Sequence, residues 1–321
     1  MSMVSQRLYY DSPALEFTAH VTDIRLHSRD ASREAGDALW QVALDRTAFY
    51  PEGGGQPWDT GLLIATAKSG AVLEVPVERV EEDAAGEVWH YVRKPLVEGA
   101  EITGRVDAAR RMDHAQQHSG QHLLSAIFLR ELGAKTVGFR LSALKTGTET
   151  VTIDLSIDKL THEQLAHVEA AANRVIYEDH ALRPTWVMRE EAEAMLAHGD
   201  LRKLPDREGP MRIVEMQGIE FNACGGTHTA STGAIGSILI RRLEKVKQGQ
   251  RVEFCCGLRA VRAARRDFEL LRQVGSTLSV GAADVPGRVM RLLEDKKTAD
   301  KTVKALEKQV KAFELSQAQG S

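Results

Sequence analysis

The 321-residue sequence predicts an α+β fold in three parts: a small N-terminal β-barrel (1–100), a zinc-containing α+β domain (101–258) and a C-terminal helical or coiled-coil segment (259–321). Three observations predict it. Short apolar or alternating runs, punctuated by Gly and Pro, fill the first part. His118-Ser119-Gly120-Gln121-His122 and Cys224-Gly225-Gly226-Thr227-His228 each set two metal-type ligands four positions apart, and only a fold can bring the pairs together. Beyond Pro286, apolar residues recur three and four apart, as in a helix with one sticky stripe.

In the first part, FTAHVTDIRL, WQVALD, GLLIATA and AVLEVPVERV read as strands. Among them lies DRTAFYPEGGGQPWDTG, Asp45 to Gly61. Its Gly53-Gly54-Gly55-Gln56-Pro57 loop opens with three residues that have no side chain to obstruct a ligand. It reads either as a surface that approaches a substrate or closes over a site, or as a tight hairpin with no ligand. No Lys-Ser or Lys-Thr follows, so it is not a phosphate loop. Asp59 reads as a cap for that turn.

The second part starts with HSGQHLLSAIFLREL, where Leu123, Leu124, Ile127 and Phe128 recur at helical spacing. On that helix His118 and His122 share one face. His114 shares it too and reads as an exposed polar residue, with a fifth ligand or a group supporting the ligands as the alternatives. Glycines between Cys224 and His228 permit positive φ and a backbone folded closely around an ion. Three imidazoles and one thiolate suit zinc. The plainer alternative is two helix histidines and a cysteine acting as a small hydrophobe. TVTIDLSI reads as a strand, and Thr161 with Gln164 forms a capping box opening the helix HEQLAHVEAAANRVIYED. GSILIRRLEKV and RVEFCCGL pair through Lys247-Gln248-Gly249. Arg241, Arg242, Lys245, Lys247 and Arg251 make a cationic run: a solvated strand-turn face, or a contact for a nucleic-acid backbone.

In the third part Arg259 to Gln273 is amphipathic, and VGSTLSVGAADVPG (274–287) reads as a mobile joint. Pro286 fits a first helical turn. Val289, Leu292, Ala299, Val303, Leu306, Val310 and Phe313 then form a seam that Lys296 interrupts. The seam predicts a homodimer through the C-terminal helix or an intramolecular hairpin. SQAQGS at the end carries no folding signal.

Composition narrows the class. A hydrophobic content of 43% supports a real core, and a net charge of -3 does not announce a nucleic-acid binder. Three cysteines, two of them adjacent, do not suggest a disulfide framework; a reduced cytoplasmic setting is expected. No stretch approaches a membrane span. HExxH would favour a protease, but Ser119, Gly120 and Gln121 supply no carboxylate.

HSGQHLL, then CGGTH, then STGAIG, with the GGGQP segment upstream, resembles the editing domain of alanyl-tRNA synthetases and the free-standing alanyl-tRNA editing proteins, the AlaX family. The resemblance runs from about residue 20 to about 260. The threonyl-tRNA synthetase editing domain shares the two metal motifs but not GGGQP. No ATP-binding or amino-acid-activating region precedes these motifs, so a complete synthetase is not expected; the end reads as a natural short form or a truncation. The resemblance implies hydrolysis of the aminoacyl ester of mischarged tRNA(Ala), chiefly Ser-tRNA(Ala), and leaves open whether Gly-tRNA(Ala) is a substrate too. It implies zinc on His118, His122, Cys224 and His228. Thr136, in GAKTVGF, resembles a threonine facing the amino-acid pocket, the alternative being a plain β-branched strand residue; Gln121, inside HSGQH, reads either as reaching the same pocket or as facing solvent. Gly53, Gly54, Gly55 and Gln56 become substrate contacts, and the cationic run a tRNA contact. Two other classes stay open: a tRNA-binding module with structural zinc, and a zinc-dependent hydrolase of an unrelated small ester or amide.

Overall fold

A computed structural model describes residues 4–10, 13–29, 38–67, 69–143, 149–206 and 208–318. The chain forms two compact units, residues 1–261 and 262–321. The first begins with β1 (Gln6–Arg7), β2 (Glu16–Arg29), β3 (Ala38–Leu44), β4 (Arg46–Thr47), β5 (Gly61–Thr66), β6 (Val72–Glu82), β7 (Val88–Val92) and β8 (Glu101–Val106). Strands β2, β3, β7, β6, β5 and β8 close in that order into a barrel. Phe17, Ala19 and Val21 on β2, Val75 and Val77 on β6, and Ile102 on β8 alternate inward and are buried. The closing strand, EITGRV, carries the barrel to Val106, past the expected boundary at residue 100.

Asp107 then caps α1 (Ala108–Leu132), accepting from the amides of Ala109 and Arg110 at 3.0 and 3.1 Å. The helix thus starts ten residues before His118, a candidate ligand, and Gly133, at φ 63°, ends it. Next come β9 (Thr136–Arg140), β10 (Val151–Leu155), α2 (His162–Glu178), β11 (Leu182–Val187), α3 (Arg189–His198), β12 (Met211–Met216), β13 (Glu220–Ala223), β14 (Ile238–Val246), β15 (Gly249–Cys256) and α4 (Gly257–Thr277). The capping box at Thr161 and Gln164 is present, as is the β14–β15 hairpin. Antiparallel strands β14, β15, β10 and β9 form one sheet. Helices α1 and α2 bury Leu123, Ile127, Phe128 and Val168 in one core with its Ile153, Leu155 and Phe254. A smaller sheet, β11-β12-β13, packs with α3 around Ala192, Leu201, Met211 and Ile213.

One irregularity matters for the site. Phe139 pairs with Ile153 and Gly138 with Asp154, but Leu155 pairs with Thr136, leaving Val137 as a bulge. The bulge puts Thr136 on the same face as Phe139, toward α1, while Val137 is 62% exposed.

The second unit holds the rest of α4, a 3-10 turn (Ala282–Asp284) and α5 (Val285–Ala318). Pro286 sits in the first turn of α5, as its fixed φ favours. Helix α4 continues to Thr277, so the joint is shorter than the expected 274–287 segment. The seam residues Leu292, Val303, Leu306, Val310 and Phe313 are all exposed, as are Phe268 and Leu271 on α4. A hairpin that buries the two stripes against each other is therefore not formed. Residues 319–321 of the terminal SQAQGS lie outside the described residues. Among the described residues no helix is long and apolar enough to cross a membrane.

Candidate metal centre

Helix α1 presents His118 and His122 with their rings stacked, centroids 5.0 Å apart. The turn after β13 presents Cys224 and His228 to them. One ligand atom from each of the four lies within 4.8 Å of the others. Both His118 Nε2 and His228 Nε2 stand 3.3 Å from Cys224 Sγ. The Nε2 of His122 is buried with no hydrogen-bond partner. An orphaned buried nitrogen beside a thiol and two further imidazoles is the donor set a soft or borderline cation satisfies, so the residues fit a metal ion.

The opposite ring edges explain the orientation. Gln56, from the loop that follows the first barrel strands, is 1% exposed. Its Oε1 accepts from the Thr227 amide at 3.0 Å, and its Nε2 donates to Thr227 Oγ1 at 2.9 Å. That fixes the amide so that Oε1 faces His118 Nδ1 at 2.8 Å and accepts from it. The proton is then held on Nδ1, and the Nε2 lone pair faces the cluster. Ser119 Oγ lies 3.2 Å from His228 Nδ1 and itself accepts from the Thr229 amide at 3.0 Å. Buried Arg212 holds the turn by donating to the carbonyls of Cys224 and Gly226 at 2.9 and 3.1 Å.

Neither Gly225 nor Gly226 has positive φ, contrary to the expectation for this turn. The glycine at 226 is needed for close approach instead. A Cβ there would lie 2.1 Å from His118 Cε1 and 2.3 Å from its Nδ1. The Gly53–Gln56 segment is a tight hairpin closed by backbone bonds of 3.2 and 2.9 Å, with φ of 54° and 79° at Gly54 and Gly55. Tyr50 Oη donates to the Gly53 carbonyl at 3.0 Å. Gly54 and Gly55 are exposed, whereas Gln56 points inward to the ligands.

Burial, together with the neighbouring imidazoles, holds His118 and His228 well below the ordinary histidine range. Burial and the charge of Arg202 push His122 down to about 3. All three are thus neutral, the form that ligates metal. Burial pushes the Cys224 thiol up, partly offset by the Gly226 amide donating to sulfur at 3.4 Å. A cation in the cluster reverses that preference, since coordination deprotonates a thiol. Glu220 lies beside His122, and burial pushes it up to about 7 against the pull of Arg202.

The remaining sequence-derived residues are distributed as follows. Thr136 Oγ1 donates to Ser125 Oγ at 2.7 Å, and Gln121 Nε2 donates to the same oxygen at 3.0 Å. Gln121 Oε1 is buried without a partner. Ser125, one helical turn beyond Gln121, was not singled out from sequence. Arg251 is committed to Asp154 at 2.7 and 2.9 Å, and Arg242 pairs with Glu244 at 2.8 Å; Lys245 and Lys247 are exposed. Arg241 lies on β14 beside them. His114 is not exposed as expected but 2% exposed, with both ring nitrogens unpartnered, and is pushed to about 3 by burial and by Arg110, Arg259 and Arg111. Asp59 does cap the turn, accepting from the Tyr50 amide at 2.7 Å, and also binds buried Arg111.

Residues 2–110 match the tRNA synthetases class II (A) family, and residues 211–253 match the threonyl and alanyl tRNA synthetase second additional domain. The alanine–tRNA ligase of Pyrococcus abyssi is 34% identical over 317 residues, 95% of this chain and 32% of that protein. That of Thermococcus kodakarensis is 34% identical over 315 residues, with the same coverage of 95% and 32%. That of Methanosarcina mazei is 32% identical over 314 residues, 95% of the chain and 31% of that protein. The chain spans about a third of the length of these relatives. Cys224 and His228 fall in the segment shared with the second additional domain, and the chain is related to the alanyl-tRNA synthetases.

Proposed function

We propose that this chain is a cytoplasmic zinc-dependent deacylase that hydrolyses the aminoacyl ester of mischarged tRNA(Ala), with Ser-tRNA(Ala) the chief substrate and Gly-tRNA(Ala) a second. The observation that carries the reading is the convergence of His118, His122, Cys224 and His228 in a chain related to alanyl-tRNA synthetases. Zinc, when bound, supplies a Lewis acid and a template for the ester. Gln56 keeps the His118 proton on the outer nitrogen and so holds that ligand ready, with Ser119 beside the outer nitrogen of His228. Thr136 spends its own hydrogen on Ser125, which leaves its oxygen lone pairs to accept from the hydroxyl of a bound serine. Alanine's methyl group offers nothing to that oxygen, and a site built around a hydroxyl rejects the analogue lacking it. Gln121 Oε1 is the second free acceptor on this side of α1. Exposed Gly54 and Gly55 let the terminal nucleotide approach the hairpin closely. Lys245, Lys247, Arg241 and Arg242 meet the tRNA backbone, with Arg251 shared with Asp154.

The test is release of labelled serine from Ser-tRNA(Ala), with Ala-tRNA(Ala) alongside, for wild type and Cys224→Ala. Rapid serine release that spares alanine and disappears in the variant is expected. Four protein donors also suit a closed tetrahedral site, which favours a second reading: a tRNA-binding module with structural zinc. Binding of tRNA by zinc-replete protein without any release would establish that reading instead. Equal cleavage of an unrelated small ester in the absence of tRNA would point to a general hydrolase.

A further inference from the structure

The three histidines of the cluster differ in what stands behind them. His118 faces an amide oxygen and His228 a hydroxyl. Behind His122 stand the Asn222 side chain, which hydrogen-bonds it, and a carboxylate: Glu220 Oε1 lies 3.9 Å from His122 Nδ1. The Glu220 side chain is only 9% exposed, although it opens the short strand β13 that leads into Cys224. Its other oxygen pairs with Arg202, whose Nη2 also lies 3.4 Å from Asn222 Oδ1. Oε1 itself is buried with no hydrogen-bond partner, and so is His122 Nε2. A carboxylate whose only duty was to pair with Arg202 gains nothing from turning its second oxygen inward, because an unsatisfied buried oxygen is costly.

We propose that Glu220 is a positioning residue for the metal centre, taking the Nδ1 proton of His122 as a hydrogen bond and thereby turning the orphaned Nε2 into the strongest imidazole donor of the set. The proposal rests on the reading of the cluster as a zinc site. At 3.9 Å the pair is at ion-pair distance and short of a hydrogen bond, so a modest swing of either side chain completes it. A carboxylate behind a ligating histidine fixes its tautomer and ring orientation and raises its basicity more than an amide or hydroxyl does. The cluster is asymmetric in this respect: a carboxyl group stands beside His122, whereas His118 faces an amide and His228 a hydroxyl. Arg202 holds the far oxygen and so keeps the carboxylate aimed.

The experiment measures zinc affinity of the full chain by competition with a chromophoric chelator, and the cobalt-thiolate absorption of the cobalt-loaded form. Wild type, Glu220→Gln, Glu220→Asp and Arg202→Ala are compared, with melting of each metal-free form as a check on folding. Glu220→Gln should weaken zinc by about 10- to 100-fold and shift the cobalt spectrum. Glu220→Asp, which keeps the charge but shortens the reach, should fall between, and Arg202→Ala should lose less than Glu220→Gln. Unchanged zinc affinity in both Glu220 variants, with wild type binding one equivalent, overturns the positioning role alone. Arg202→Ala losing as much as Glu220→Gln also overturns it, because the ion pair would then act by ordering the segment. Failure of wild type to bind zinc at all overturns the metal reading and this proposal together.

Discussion

Replacing Gly226 with alanine isolates the close approach on which the cluster depends. The added Cβ would stand 2.1 Å from His118 Cε1, 2.3 Å from Nδ1 and 3.0 Å from Gln56 Oε1. None of these neighbours can retreat cheaply. His118 is on α1 and is 1% exposed, Gln56 is anchored at both ends of its amide, and Arg212 and the Thr227 amide pin the turn on either side. Inserting a methyl group into such packing costs about 1–3 kcal/mol. If that strain falls on the metal-bound arrangement, zinc affinity drops by about 5- to 150-fold, at a factor of ten per 1.4 kcal/mol. Gly225→Ala is the internal control. Its Cβ would meet nothing closer than Tyr10 Oη at 3.7 Å, an ordinary contact, and its φ is not positive. The assay is chelator competition and thermal unfolding for both variants beside wild type. Equal affinity and stability for the two alanine variants would show that the turn is not pressed against His118, and the account of the site would be wrong.

Thr136→Val should cut the kcat/KM for Ser-tRNA(Ala) by about tenfold, the worth of one hydrogen bond, while Gly-tRNA(Ala) changes little; equal losses on both would remove Thr136 from the pocket. Asp113 binds Arg259, which is fully buried, through 2.7 Å and shorter contacts. Asp113→Ala should therefore destabilise by about 3–5 kcal/mol in denaturant unfolding, and the Asp113→Leu, Arg259→Met pair by far less. His90, between Thr47 Oγ1 at 2.8 Å and the Val42 carbonyl at 2.9 Å, is pushed from 6.5 to about 4 by burial. The folded chain binds this proton less readily than the unfolded one. Its contribution is thus whole above pH 6.5 and is lost as the pH falls toward 4, by about 3 kcal/mol. A His90→Leu chain should show a shallower acid slope over that window; identical slopes would refute the assignment.

What could be read in advance was chemistry carried by short spacing. His118 and His122 are one helical turn apart, and Cys224 and His228 share one turn, so the donor set was visible before any tertiary contact. What stands behind the donors was not. Gln56 meets Thr227 across 171 positions, and no local pattern distinguishes a glutamine that faces a substrate from one that braces a histidine. Ser125, Arg212 and Glu220 carry no motif of their own, and nothing in HSGQH marks Ser119 as a partner of His228. His114 was misread because helical position gives direction but not depth: its face of α1 is covered. The barrel strands VWHYV and EITGRV went unmarked because one is wholly buried and shows no alternation, while the other straddles the change of architecture.

The bulge at Val137 has a meaning for chemical selection. In an unbroken register Val137 would stand opposite Leu155 and face α1, and the surface beside Ser125 would carry an isopropyl group. The irregular backbone presents an alcohol there instead. Two walls of nearly equal volume, one able to recognise a hydroxylated amino acid and one not, are therefore encoded by the same five residues and separated by a single step of pairing. On the proposed reading, discrimination between serine and alanine would then be a property of strand alignment as much as of side-chain identity.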